Sequence, residues 1–188
     1  MTPLRLRSAT VADADRVAAL HADSWRRHYR GAYADAFLDG DVVADRRAVW
    51  SARLAVPAGT ATILAERDDR LVGFIHAVLD QDPRWGTLID NLHVGHGHQR
   101  AGVGRRLLAR CADAAAAGAA QPGLYLWVLR QNAAALAFYR RCGGVPVETA
   151  PVPPPGGHPD RLNGSPERLR MAWPDASRLS DALGAAPS

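Results

Sequence analysis

The sequence predicts one α/β or α+β domain, a mixed β-sheet flanked by helices. Three observations lead to it. Strand-like alternation or short apolar runs recur at 4–7, 60–66, 71–79, 87–94, 124–129, 145–149 and 168–173. Helical periodicity covers 10–25, 34–38, 45–54, 102–117 and 132–142. The order is then strand, helices, three strands, helix, strand, helix, two strands, which places helices on a mixed sheet.

Each element has a local reason. Leu4-Arg5-Leu6-Arg7 alternates apolar and polar residues and opens the sheet. Thr10-Val11-Ala12-Asp13 has the form of a helix N-cap with an acid at its third position. Gly31 breaks the first helix after a stretch dense in aromatic and cationic groups, and Val49, Trp50 and Leu54 stand at core spacing in the third. Asp68-Asp69-Arg70 is a hairpin turn between two strands, and residues 80–86 form a loop before the next. The run 124–129 is almost wholly apolar, as expected of a strand buried on both faces. Asn132 caps the next helix. The segment 151–166, rich in Pro and Gly, is expected to be a long irregular loop, either a rim over a substrate site or mobile. The domain is expected over 1–174, with 175–188 a C-terminal tail, either frayed or partly helical.

Composition narrows the class. A hydrophobic content of 47% and a charged content of 22% in 188 residues suit a single globular domain. No apolar run reaches the roughly 20 residues that span a bilayer, and the N-terminus lacks an apolar signal core, so a cytoplasmic location is expected. Cys111 and Cys142 are read as small apolar fillers rather than a disulfide or metal framework. The net charge is +4, and every strong base is Arg. A GC-rich coding sequence is one cause of the missing Lys, and avoidance of self-modification by an amine-acylating enzyme is another. Without Lys, no Gly-Lys-Ser/Thr nucleotide-triphosphate loop exists. The Arg are scattered among Asp, with no basic stripe interleaved with aromatics, so nucleic acid is not an expected partner.

The stretch Gln99-Arg100-Ala101-Gly102-Val103-Gly104-Arg105-Arg106 follows an apolar strand and opens a helix. Its backbone N–H groups and the positive end of the helix dipole make an anion site suited to phosphate. Gly102 and Gly104 let backbone approach a ligand, and Arg105 and Arg106 in the first turn call for an anion to offset them. The missing third glycine after Gly102 and Gly104 makes a dinucleotide-binding reading a poorer fit.

These residues resemble the GNAT-type N-acetyltransferase superfamily. Its cofactor motif, Gln/Arg-x-x-Gly-x-Gly/Ala, corresponds to Gln99, Gly102 and Gly104. A second signature, Asn-x-x-Ala-x-x-Phe-Tyr-x-x-x-Gly, corresponds to Asn132, Ala135, Phe138, Tyr139 and Gly143. The resemblance covers about 4–149, and the closing strand also fits. It departs where the family has Gly-Phe and this chain has Gly143-Gly144-Val145.

The resemblance implies a mostly antiparallel sheet of about seven strands with splayed central parallel strands. It implies acetyl-CoA as acyl-donor cosubstrate, and direct attack by a primary amine in a ternary complex. By similarity, the backbone of Leu92, His93 and Val94 hydrogen-bonds the cofactor arm, and the Val94 N–H polarises the thioester carbonyl. Gln99, Arg100, Ala101, Gly102, Val103, Gly104 and Arg105 bind the pyrophosphate, and Asn132 contacts the arm. Tyr139 is the candidate general acid for the departing thiolate. Asp90 is the candidate general base through water, with His93 and His76 as alternatives. Trp25, His28, Tyr29, Tyr33 and Trp85 are the candidate acceptor-binding residues, by cation–π contact. His93, His96 and His98 match no usual metal spacing, so no metal is expected. A homodimer is open, and a non-catalytic CoA-binding regulatory module is the alternative function.

Overall fold

The computed structural model describes residues 3–184. Seven strands, β1 (Arg5–Ser8), β2 (Thr60–Arg67), β3 (Arg70–Asp82), β4 (Gly86–Val94), β5 (Leu124–Leu129), β6 (Val145–Pro151) and β7 (Glu167–Trp173), form one sheet. Their order is β1-β2-β3-β4-β5-β7-β6. The β4–β5 pair is parallel and the others antiparallel. Helices α1 (Ala14–His28), α2 (Asp35–Asp39) and α3 (Val42–Ala55) precede β2. Helix α4 (Val103–Gly118) links β4 to β5, α5 (Ala133–Arg141) links β5 to β6, and α6 (Ala176–Gly184) is the last described element.

Sequence periodicity sorts the faces. From α4, Leu107, Leu108 and Cys111 bury themselves against Ile75, Ile89, Leu124, Leu126 and Met171. On the opposite face Val17, Ala18 and Trp50 of α1 and α3 pack on Leu64 and Phe74. A smaller cluster joins Trp25, Tyr33 and Leu38 to Leu129 and Val152. The start of α1 is fixed by charge: the Thr10 N–H donates to the Asp13 carboxylate at 2.8 Å, and Arg7 bridges Asp13 and Glu66 at 2.7 and 2.8 Å. Asp68 and Asp69 turn the β2–β3 hairpin at φ of 50° and 57°, a twist matched to the strands it joins. Cys111 and Cys142 are both free thiols.

One expectation changes, and one open alternative is decided. Residues 176–184 are helical rather than frayed: Ala176 and Leu179 are buried against the α4 layer, and the Arg105 guanidinium donates to the carbonyls of Ala182 and Leu183 at 3.1 Å, while 185–188 of the expected tail lie outside the described residues. Ser180 also hydrogen-bonds Asp113 on α4. An amphipathic helix with one apolar stripe is stable once a partner face covers that stripe. The 151–166 loop is a fixed rim. Its Arg161 pairs with Asp45 at 2.8 Å, the Ala34 N–H donates to the Arg161 carbonyl at 2.9 Å, and the Asn163 N–H donates to the Ala32 carbonyl at 2.9 Å.

Candidate active site

Parallel strands β4 and β5 pair only at Thr87–Leu124, Leu88–Tyr125 and Ile89–Leu126, then part. Two features of the sequence produce the split. At the closed end Gly86 and Gly123 lie against each other, and a Cβ on Gly86 would stand 2.2 Å from the Gly123 carbonyl oxygen. Beyond Ile89 the β3–β4 register slips from Ala77–Ile89 to His76–Asn91, which leaves Asp90 as an extra, bulged residue. A bulge bends its strand and adds twist, so β4 swings away from β5.

The backbone in the gap follows from the ladder. The Gly95 N–H donates to the Val72 carbonyl at 2.8 Å. Antiparallel pairs alternate between bonded and non-bonded residues, so His93 exchanges bonds with Phe74 while Leu92 and Val94 turn their N–H and C=O groups toward the gap. The His93 backbone therefore stays in the sheet, against the expectation that it joins Leu92 and Val94 in holding a ligand. The gap has an unpaired strand edge of the kind that binds an extended ligand as an added strand.

On the α4–α5 side, the gap opens into a cavity of about 750 Å³. Its walls include Leu92, His93, Val94, Gln99, Arg100, Gly102, Gly104, Arg105, Asn132 and Tyr139. Gly102 adopts φ 77° and caps α4 in the left-handed region, which places the helix N-terminus at the cavity wall. Gly104 leaves room where a Cβ would stand 3.3 Å from the Phe138 ring and 3.6 Å from Val94. Ala101 and Val103 are not among the lining residues, and Val103 is buried in the core. The Arg105 side chain reaches α6, so its contribution at the cavity is through its start-of-helix position. The Ala135 N–H donates to Asn132 Oδ1 at 3.1 Å, which makes Asn132 a true N-cap at the wall. Tyr139, 8% exposed, packs edge-on to Phe138 and Trp173, and burial holds its phenol well above the ordinary 10. It is therefore a protonated donor throughout the neutral range.

On the α1–α3 side, a second cavity of about 500 Å³ lies under the 151–166 rim. Trp25, Tyr29 and Tyr33 line it, with Val152 and Pro153 to Pro155 above. Tyr29, Asp90, Asn91 and His93 line both cavities and mark where they meet. His28 lines the larger cavity, and Trp85 lines neither. Trp85 lies at the closed end of the split, under the guanidinium groups of Arg84 at 4.7 Å and Arg170 at 5.3 Å. Side-chain cations already cover the aromatic faces. Arg46 lies 4.2 Å over Trp25, and Arg168 4.1 Å over Trp127.

Asp90 is ion-paired with Arg53 at 2.7 Å and accepts the Asn91 amide at 2.6 Å. The histidines beside it are neutral. Burial pulls His93 down to about 3, while its Nδ1 pairs with the Ser24 hydroxyl at 2.7 Å. His21 is likewise held well below 6.5, and its Nδ1 accepts from the Trp50 indole N–H at 3.0 Å. His76 is pulled down to about 4 by burial and Arg53 and bonds Thr62 at 2.7 Å, away from both cavities. Among the described residues, no group of three or more His, Cys, Asp or Glu is arranged to hold a metal ion. No described helix is long and apolar enough to cross a membrane.

Sequence reasoning missed Arg46, Arg53, Trp127 and Arg168, which surround the smaller cavity. A signal existed in β7, where Arg168 and Arg170 alternate with Leu169 and Met171. Period 2 places both Arg on the face opposite the α4 core.

Comparison with known proteins agrees with this geometry. The PaiA N-acetyltransferase of Thermoplasma acidophilum, solved with coenzyme A, superposes with a TM-score of 0.70 at 17% identity, covering 91% of this chain and 99% of that one. Arabidopsis thaliana NAA60, solved with a bisubstrate analogue, gives a TM-score of 0.65 at 16% identity, covering 91% and 97%. The putative acetyltransferase yncA of Salmonella typhimurium, solved with acetyl-CoA, gives 0.63 at 21%, covering 91% and 93%. A search of curated proteins finds no match. The family model for the acetyltransferase (GNAT) family matches residues 17–144. The chain belongs to the GNAT acetyltransferase family.

Proposed function

We propose that the protein is an N-acetyltransferase that moves the acetyl group of acetyl-CoA to a primary amine of a small molecule or peptide, by direct attack in a ternary complex. One observation carries the reading: the Leu92 and Val94 backbone faces a strand gap at which two cavities meet, one ending on the N-terminus of α4. The larger cavity suits CoA, since it offers a strand edge for the pantetheine amides and helix N–H groups for the pyrophosphate. Neighbouring structures with coenzyme A or acetyl-CoA bound support the same donor.

The donor supplies an acetyl group activated as a thioester. Leu92 and Val94 backbone groups hold the arm in the gap, and the Val94 N–H polarises the acyl carbonyl. The acceptor amine enters from the smaller cavity. Asp90, at the junction, takes the ammonium proton through water, helped by Arg53 and Asn91, which fix its carboxylate. The His93 imidazole is buried, and its Nδ1 is engaged by the Ser24 hydroxyl. As the C–S bond breaks, the Tyr139 phenol donates its proton to the leaving sulfur.

Titration calorimetry with acetyl-CoA tests the donor half. The wild-type protein is expected to bind one equivalent. Gly104→Glu places a carboxylate beside the pyrophosphate site and against Phe138, and is expected to abolish the heat. A folded wild-type protein that gives no binding heat overturns the reading.

A further inference from the structure

The cations around the smaller cavity are not equivalent. Arg53 is paired with Asp90 at 2.7 Å, and Arg46 with Asp45 at 2.5 Å. Arg170, next on the same face of β7, holds Glu148 at 2.9 Å and Asp82 at 3.3 Å. The Arg168 side chain makes no hydrogen bond or ion pair among the described residues, and its Nε is buried without a partner. Its guanidinium carbon stands 4.1 Å over the Trp127 ring, which holds the head group at the cavity wall. The neighbouring carboxylate, Glu148, is committed to Arg170. Burial and Arg170 together disfavour the charge on Arg168, so a counter-charge in the cavity would relieve both.

An uncompensated, half-buried guanidinium in a substrate cavity is a recognition element for an anion, because its fork of donors matches a carboxylate. Resting on the N-acetyltransferase reading above, we propose that the acceptor is a small amino acid-like molecule whose carboxylate pairs with Arg168 while its amine is acetylated. The charge of the cavity argues the same way. Arg46, Arg53 and Arg168 face it against Asp90, which repels a polyamine and accepts a zwitterion. A volume of about 500 Å³ under the fixed proline rim suits a free amino acid rather than a folded chain.

The experiment measures kcat/KM with acetyl-CoA across the common free α-amino acids, their carboxamides and their decarboxylated amines. The best acceptor is expected to be a free acid, favoured over its carboxamide by about 100-fold, as befits loss of one partner of a desolvated charge pair. Arg168→Gln is expected to lower kcat/KM for that acid by about 100-fold, chiefly through KM, and for the carboxamide by no more than about 3-fold. Arg168→Lys, which keeps the charge without the fork, should recover part of the loss. Unchanged acetyl-CoA affinity shows that both variants are folded. Acetylation of amines and carboxamides as readily as acids overturns the inference and leaves the enzyme reading intact. So does equal loss on acid and carboxamide in Arg168→Gln. Acetyl-CoA binding with no acetylation of any of these amines also overturns the inference, and the enzyme reading falls with it only if peptide amines are likewise left unmodified.

Discussion

Tyr139 combines a packed ring with a hydroxyl that makes no side-chain hydrogen bond among the described residues, at the wall of the larger cavity. Tyr139→Phe keeps the ring contacts and removes the proton. Turnover is expected to fall by about 10- to 100-fold, with acetyl-CoA affinity nearly unchanged in calorimetry. Unaltered turnover would remove the phenol from proton delivery. The buried histidines make a pH prediction. His93 at about 3, His76 at about 4 and His21, held well below 6.5, are neutral when folded and protonate more readily once unfolded. The unfolded state then binds more protons below about 6.5, so stability is full above that pH and falls as pH drops toward 4. Denaturant midpoints should decline steadily between pH 7 and 5. A flat profile from 7 to 5 would mean that these imidazoles are not desolvated. Tyr139 was legible in the sequence because its neighbours form a spaced signature. The face of Arg168 was readable from the β7 alternation, but not that its side chain has no partner among the described residues, because pairing is a property of the folded face.

At the scale of elements, the β4–β5 split depends on close backbone contact at one end and a bulge at the other. Gly86 adopts φ 79° and has no room for a Cβ against Gly123. Gly86→Ala is therefore expected to cost about 1–3 kcal/mol in chemical denaturation, from strain and lost pairing at Thr87. A stability equal to wild type would contradict the close approach. Helix α6 makes a second case. Leu179, 4% exposed, is buried in the α4 core, and Leu179→Ala should destabilise by about 2–4 kcal/mol. A frayed segment would show no loss. The strands and α4 were readable from alternation and apolar periodicity. Asp90 as a bulge was not, since an inserted residue shows only when a partner strand is placed beside it. Helix α6 stayed undecided because its short stripe, Ala176, Leu179 and Leu183, acquires stability only from the α4 face that covers it.

For the whole molecule, two cavities meet at the β4–β5 gap beside Asp90, and the proposed reaction assigns the larger to the donor and the smaller to the acceptor. The architecture and the donor-side loop were legible because glycines and an Asn cap carry local rules. The acceptor side was legible only in part. Trp25, Tyr29 and Tyr33 stand where expected around the smaller cavity, but Trp85 is drawn to the Arg84 and Arg170 stack. Arg46 and Arg168 converge there from α3 and β7, which no sequence spacing connects. The most direct measurement of the central claim is steady-state transfer with both substrates varied, reading free CoA thiol and acetylated amine together. The account predicts one thiol released per amine acetylated and intersecting initial-velocity lines, the pattern of a ternary complex. Tight acetyl-CoA binding without transfer to any amine, or parallel lines with an acetylated protein intermediate, would contradict it.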